Sequence, residues 1–127
     1  MLSAKSVFRQ SRWAIADSDS DQLIGTCGYY WWIPKDSLAE LDYDLSRAYW
    51  GKGIMSQAVK AVLYWGFNTL DLNRVQATVM AENIASTRIL EKSGFQKEGL
   101  MRELKLCRGE FKDFWLFARL RREYTER

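Results

Sequence analysis

Gly51 and Gly53 flank Lys52 in the stretch Arg47-Ala48-Tyr49-Trp50-Gly51-Lys52-Gly53-Ile54-Met55-Ser56, where a strand-like run gives way to a helical pattern. Residues without a Cβ let the chain turn sharply and let a ligand approach the backbone. The helix that follows opens with N–H groups that have no intrahelical acceptor and carry partial positive charge. Such a seat suits phosphate oxygens; a tight turn whose glycines serve geometry alone is the other reading of the same residues. Just upstream, Glu40, Asp42 and Asp44 alternate with Leu41, Tyr43 and Leu45. A period of two puts the three carboxylates on one strand face. Grouped carboxylates raise one another's pKa or hold a cation, and a solvated surface would carry them equally well.

Histidine is absent from the sequence. Ser-His and Cys-His nucleophilic schemes and imidazole-ligated metals are thereby excluded. Acid–base chemistry falls to carboxylates, Tyr, Lys, Cys or water. Cys27 and Cys107 have neither metal-site spacing nor the number needed for a disulfide framework. They read as small buried hydrophobes, and no metal is expected. The net charge of +3 comes from scattered basic residues until Arg119, Arg121, Arg122 and Arg127. That balance fits a polyanionic small ligand better than nucleic acid. In 127 residues, 47% hydrophobic content supports a real core in a single domain, residues 1–127. No apolar run is long enough to span a bilayer and no leader pattern opens the chain, so a cytoplasmic protein without a membrane partner is expected.

The elements that must position these groups follow from periodicity. Ser11 to Asp17 and Leu23 to Ile33 read as strands joined by the turn formers Ser18-Asp19-Ser20-Asp21. Gly25 and Gly28 in the second suggest a bulge or a close backbone approach. The aromatic block Tyr29-Tyr30-Trp31-Trp32 could stack bases, but consecutive strand residues face opposite sides, which favours packing or an interface. Ala39 to Leu45 reads as a third strand, and Ile54, Ala58, Ala61, Val62, Trp65 and Thr69 give a helical apolar stripe. Arg74 to Met80 alternates as a strand. Asn83 to Ser93 reads as a second helix with Asn83 at the N-cap, Gly94 at C′ and Phe95 at C″. Phe95 to Cys107 and Phe111 to Leu120 then read as a hairpin through Arg108-Gly109-Glu110.

Several of these pieces occur together in a known order: Leu23-Ile24-Gly25, Ala39-Glu40-Leu41-x-Tyr43, Tyr49-Trp50-Gly51-Lys52-Gly53 and Asn73-Arg74-Val75. They continue with Glu82-Asn83-Ile84-Ala85-Ser86-x-Arg88-x-Leu90-Glu91-Lys92-x-Gly94-Phe95 and with Glu98-Gly99. From Trp13 onward the chain resembles the GNAT superfamily of N-acetyltransferases, and within it the branch that modifies ribosomal-protein N-termini, the RimJ and RimL type. The resemblance implies an α/β (α+β) fold with a mixed, mostly antiparallel sheet of about six strands flanked by two main helices. It implies acetyl-CoA as co-substrate, with its pyrophosphate on the backbone of Trp50, Gly51, Lys52, Gly53, Ile54, Met55 and Ser56. The pantetheine arm would lie in the splay after Leu45, touched by Asn83, with Ser86 near the thiol.

By the same carry-over Glu40 is the general base and Ser86 assists the leaving thiolate. Asp42 and Asp44 depart from the pattern, standing where the branch has a glycine and a commonly aromatic residue, and an acidic acceptor pocket is expected from them. The family's position for a tyrosine acid on the second helix is Leu90 here, so that acid is not expected. Met55 stands where Gly or Ala is usual. Relatives open with a strand and two helices that this chain lacks, which marks it as N-terminally short and predicts a homo-oligomer that covers the exposed surface.

The expected function is acetyl-CoA-dependent acetylation of a primary amine. An α-amine with pKa about 8 is roughly a tenth neutral at pH 7, whereas a lysine amine near 10.4 costs about 4.6 kcal/mol to deprotonate. A carboxylate-only site suits the weaker demand, so the favoured acceptor is a protein N-terminus, with a small amine of polyamine or antibiotic type as the alternative. A CoA-binding protein without catalysis and an RNA-binding module are the readings from other classes.

Overall fold

A computed structural model describes residues 11–124, so Arg127 of the basic end lies outside the described residues. The elements run β1 (Ser11–Ala16), β2 (Leu23–Ile33), β3 (Leu38–Leu45), α1 (Ile54–Asn68), β4 (Arg74–Met80), α2 (Ile84–Lys92), β5 (Gln96–Cys107) and β6 (Glu110–Leu120). The six strands form one sheet in the order β1-β2-β3-β4-β6-β5. Only β3 and β4 are parallel; the other neighbours are antiparallel. A parallel pair needs a crossover, and α1 supplies it. The expected fold class is the one observed.

The register puts Tyr29 opposite Leu41, Ala39 opposite Val75 and Ala77 opposite Phe117. These side chains share one sheet face and bury against Val59, Val62, Leu63 and Phe67 of α1 and Leu90 of α2. Burying each of the larger ones, such as Leu41, Val59 or Phe67, contributes about 1.5–3 kcal/mol. The opposite face carries Arg12, Thr26, Glu40, Asp42 and Gln76 in neighbouring registers. The two faces therefore divide the work: one holds the fold together, the other presents charge.

Helix α1 is rotated from the expected stripe. Its buried side is Met55, Val59, Val62, Leu63, Gly66 and Phe67, whereas Ala61 and Thr69 are exposed. Gly66 lies mid-helix, where it costs about 1 kcal/mol relative to Ala. The reason is Tyr29, whose hydroxyl donates to the Val62 carbonyl at 2.8 Å; a Cβ on Gly66 would stand 2.1 Å from that hydroxyl. The β2 glycines sit at close backbone approaches, and the β1–β2 register also shifts beside Gly25, between Ile15 and Ala16. A Cβ at Gly25 would meet the Asp44 carbonyl at 2.3 Å, and one at Gly28 the Ser11 carbonyl at 2.2 Å. The irregularity in the β2–β3 ladder falls between Tyr29 and Trp31.

The ends of α2 follow their local signals. Asn83 Oδ1 accepts from Ser86 N at 3.1 Å, while Phe95 N donates to the Leu90 carbonyl at 3.0 Å past Gly94, whose φ is 86°. In the β5–β6 hairpin both Arg108 and Gly109 have positive φ, 51° and 83°, the conformation a two-residue turn needs to match strand twist. Of the aromatic block, Tyr29 is buried, Trp31 and Trp32 are half-buried and Tyr30 is exposed. Packing thus takes Tyr29 fully and Trp31 and Trp32 in part, and leaves Tyr30 on the surface. No helix among the described residues is long and apolar enough to cross a membrane.

Candidate functional site

The β3–β4 ladder consists of Leu38–Arg74, Ala39–Val75 and Glu40–Gln76. Past Glu40 the two strands part company, while β3 continues to Leu45 and β4 to Met80. A cleft of about 410 Å³ opens beside the end of β3. Tyr43, Asp44 and Leu45 form one wall, Trp50, Gly51 and Gly53 the turn, and Ile54, Met55 and Ser56 the helix start. Asn83, Ser86, Arg88 and Lys92 of the α2 side form the other wall.

The turn exposes backbone N–H groups. Gly51 and Gly53 have φ of 77° and 76°, left-handed values that cost other residues about 1–2 kcal/mol. Nothing lies within 4 Å of a Cβ placed at either, so the backbone there is open to a ligand. Gly53 is the N-cap of α1 and no side chain caps the helix, which leaves its first N–H groups available to an anion. Trp50 Nε1 donates to the Leu45 carbonyl at 2.7 Å, and the Tyr49 hydroxyl donates to Asp17 at 2.8 Å. These bonds pin the turn to β3 and to the β1–β2 connection.

Two residues of this turn point their side chains away from the cleft and leave their backbone to it. The Lys52 side chain is not among the cleft-lining groups; its ammonium lies 5.4 Å from the Tyr49 ring centroid. The Met55 side chain is buried in the core, so its bulk leaves the seat clear and its backbone alone can contribute.

The three carboxylates of β3 have separate fates. Asp44 is exposed and reaches the cleft. Asp42 is ion-paired with Arg12 at 2.9 Å, and Arg12 also donates to Thr26 Oγ1 at 2.6 Å. Glu40 is half-buried at the last shared rung, accepting from Gln76 Nε2 at 3.2 Å. Burial raises its carboxyl above the usual range, with Gln76 and Lys105 pulling the other way and Asp42 adding only a minor push. Arg12 beside Asp42 and Lys105 near Glu40 offset part of the negative charge expected here, and Asp44 stays exposed at the cleft.

Across the gap the Tyr43 hydroxyl stands 2.7 Å from Ser86 Oγ. Burial pushes the Tyr43 phenol up to about 12, with the bond to Ser86 opposing. Tyr43, Arg88 and Lys92 carried no role in the sequence reading. The two cations were detectable, since positions 85, 88, 89 and 92 share a helical face near Ser86.

The acetyltransferase (GNAT) domain family matches residues 2–96. The chain belongs to the GNAT family. An uncharacterised N-acetyltransferase, p20, from Bacillus licheniformis is 41% identical over 115 residues, covering 91% of this chain and 65% of that relative. The chain thus spans less than two thirds of that relative's length. Among solved structures, ribosomal-protein-S5-alanine acetyltransferase from Vibrio fischeri superposes with a TM-score of 0.82 at 24% identity, covering 93% of this chain and 65% of that one. A dodecameric spermidine N-acetyltransferase from Vibrio cholerae gives 0.80 at 24% identity, covering 91% and 67%. At these identities the likenesses establish a shared GNAT fold.

Proposed function

We propose that this GNAT domain transfers acetyl from acetyl-CoA to the α-amine of a protein N-terminus. The observation that carries the reading is the parting of β3 and β4 beyond Glu40 and Gln76, with an uncapped helix start at one end of the resulting cleft. The pyrophosphate would occupy the backbone of Trp50 to Ser56, and the pantetheine arm the wall formed by Leu45 and Asn83. Arg88 and Lys92 line the same cleft, and a second hollow of about 430 Å³ sharing Ser56 and Lys92 adds Lys60 and Arg119. Cations gathered there suit a phosphate-rich donor.

Glu40 faces the side of the sheet opposite Tyr43 and Leu41, so an amine entering from that side would meet it first. Its raised pKa suits a base taking a proton from an α-ammonium near 8 better than from a lysine near 10.4. Pairing of Asp42 with Arg12 favours a singly charged acceptor over a polyamine, whose several cations need unpaired carboxylates. Ser86 would hydrogen-bond the departing sulfur.

Titration calorimetry with CoA and with single-stranded RNA in parallel tests the donor side. Saturable CoA binding without RNA binding is expected; RNA binding alone would overturn the assignment. Assembly into a homo-oligomer belongs to the same proposal, since among the described residues β1 is a sheet edge, with Trp13 and nearby Tyr30 exposed. A stable monomer in sedimentation at micromolar concentration would count against it.

A further inference from the structure

Tyr43 sits on the core side of β3, yet its hydroxyl reaches the cleft, 2.7 Å from Ser86 Oγ and 3.2 Å from the Ser86 carbonyl oxygen. A phenol has one proton, so the two contacts define two arrangements. If Tyr43 donates to the carbonyl, the Ser86 proton is used on the phenol oxygen and nothing remains for a ligand. If Tyr43 donates to Oγ, the Ser86 proton is free to point into the cleft. Hydroxyl hydrogen bonds lie at about 2.7–2.8 Å; the contact to Oγ has that length whichever hydroxyl donates, and the one to the carbonyl is longer and weaker. The backbone of Ser86 is fixed independently, its N–H donating to Asn83 Oδ1 at 3.1 Å.

We propose that Tyr43 is a positioning residue for acetyl transfer: it donates to Ser86 Oγ and thereby turns the Ser86 hydroxyl toward the sulfur of the donor. This rests on the acetyl-CoA reading above. In the reaction the amine lone pair forms a C–N bond at the thioester carbonyl carbon, and the C–S bond breaks with its electron pair on sulfur. One proton leaves nitrogen and one joins sulfur, giving an amide and a thiol. A thiol near 8.5 is a far stronger acid than a phenol near 12. Passing the Tyr43 proton through Ser86 onto the thiolate would therefore be unfavourable by more than about a thousandfold. The pair acts by hydrogen bonding, and sulfur takes its proton from water.

The test is the thiol ionisation of bound CoA, followed by thiolate absorbance in the ultraviolet, which needs no knowledge of the acceptor. The acid dissociation constant of the bound thiol should be about tenfold higher in the wild type than in Tyr43→Phe or Ser86→Ala. The double variant should match either single one, because Tyr43 works only through Ser86. Equal ionisation in wild type and Tyr43→Phe, or additive effects in the double variant, overturns the proposal alone. Failure of the wild type to bind CoA overturns both it and the acetyl-CoA reading. Should Tyr43→Phe not fold, 3-fluorotyrosine at position 43, a more acidic phenol of nearly the same size, should raise the constant above wild type; an unchanged constant overturns the proposal.

Discussion

Glu40 accepts a hydrogen bond from Gln76 Nε2 at 3.2 Å across the last rung that joins β3 and β4. Gln76 in turn accepts from Arg74 Nε at 3.2 Å, and the Arg74 guanidinium holds Glu98 through bonds of 3.1 and 2.8 Å. One carboxylate is thus aimed from behind by three side chains, at the place where the strands separate.

Glu40→Gln keeps an oxygen for Gln76 and removes the base. We expect kcat at neutral pH to fall by about a hundredfold, to recover in part at high pH where the amine is already neutral, and CoA binding to persist. Full activity across the pH range would replace Glu40 with water as proton acceptor.

The same carboxyl sets a pH dependence of stability. A carboxyl raised above 4.5 in the fold binds its proton more tightly folded than unfolded, so its contribution is complete below the unfolded value and is lost as pH rises through the folded one. Glu40→Gln escapes that loss. Its Tm should exceed the wild-type value at pH 7, and the difference should shrink toward pH 4; a difference independent of pH would contradict this.

Changing Gly53 to Val places a β-branched residue at φ of 76°, costing about 1–2 kcal/mol of strain, and sets a side chain where phosphate would approach. The Kd for CoA should rise more than about tenfold in a protein that remains folded by circular dichroism. Lys52→Ala should change it much less, since that ammonium lies over Tyr49 outside the cleft wall. The reverse order of effects would remove the backbone phosphate seat.

Arg12→Ala releases Asp42 from its 2.9 Å ion pair. The acceptor side then becomes more acidic, and kcat/KM for spermidine should rise relative to that for an N-terminal peptide. An unchanged ratio would show that Arg12 does not set acceptor charge preference.

Local signals made much of this legible in advance. The alternation of Arg74 to Met80 and the Asn83 and Gly94 caps of α2 are written in a few adjacent residues, and the structure follows them. The rotation of α1 was not so written, because Ile54, Ala58 and Ala61 have the same period as the buried Met55, Val59 and Val62. Only the sheet decides between two apolar stripes on one helix. Within the site, Asp42 read as part of an acidic pocket because its neutralising partner, Arg12, lies 30 residues upstream and two strands away. Tyr43 read as an apolar-face residue, since its hydroxyl partner is 43 residues distant in sequence. Pairings made by tertiary structure leave no trace in spacing.

Incubation with acetyl-CoA and a mixed set of N-terminal peptides, polyamines and lysine-containing peptides with blocked N-termini, read by mass spectrometry, tests the central claim most directly. The account predicts a single acetyl group added to peptide α-amines, and no comparable product from blocked peptides. CoA binding with no acetylated product from any amine would contradict it and leave a CoA-binding domain without catalysis.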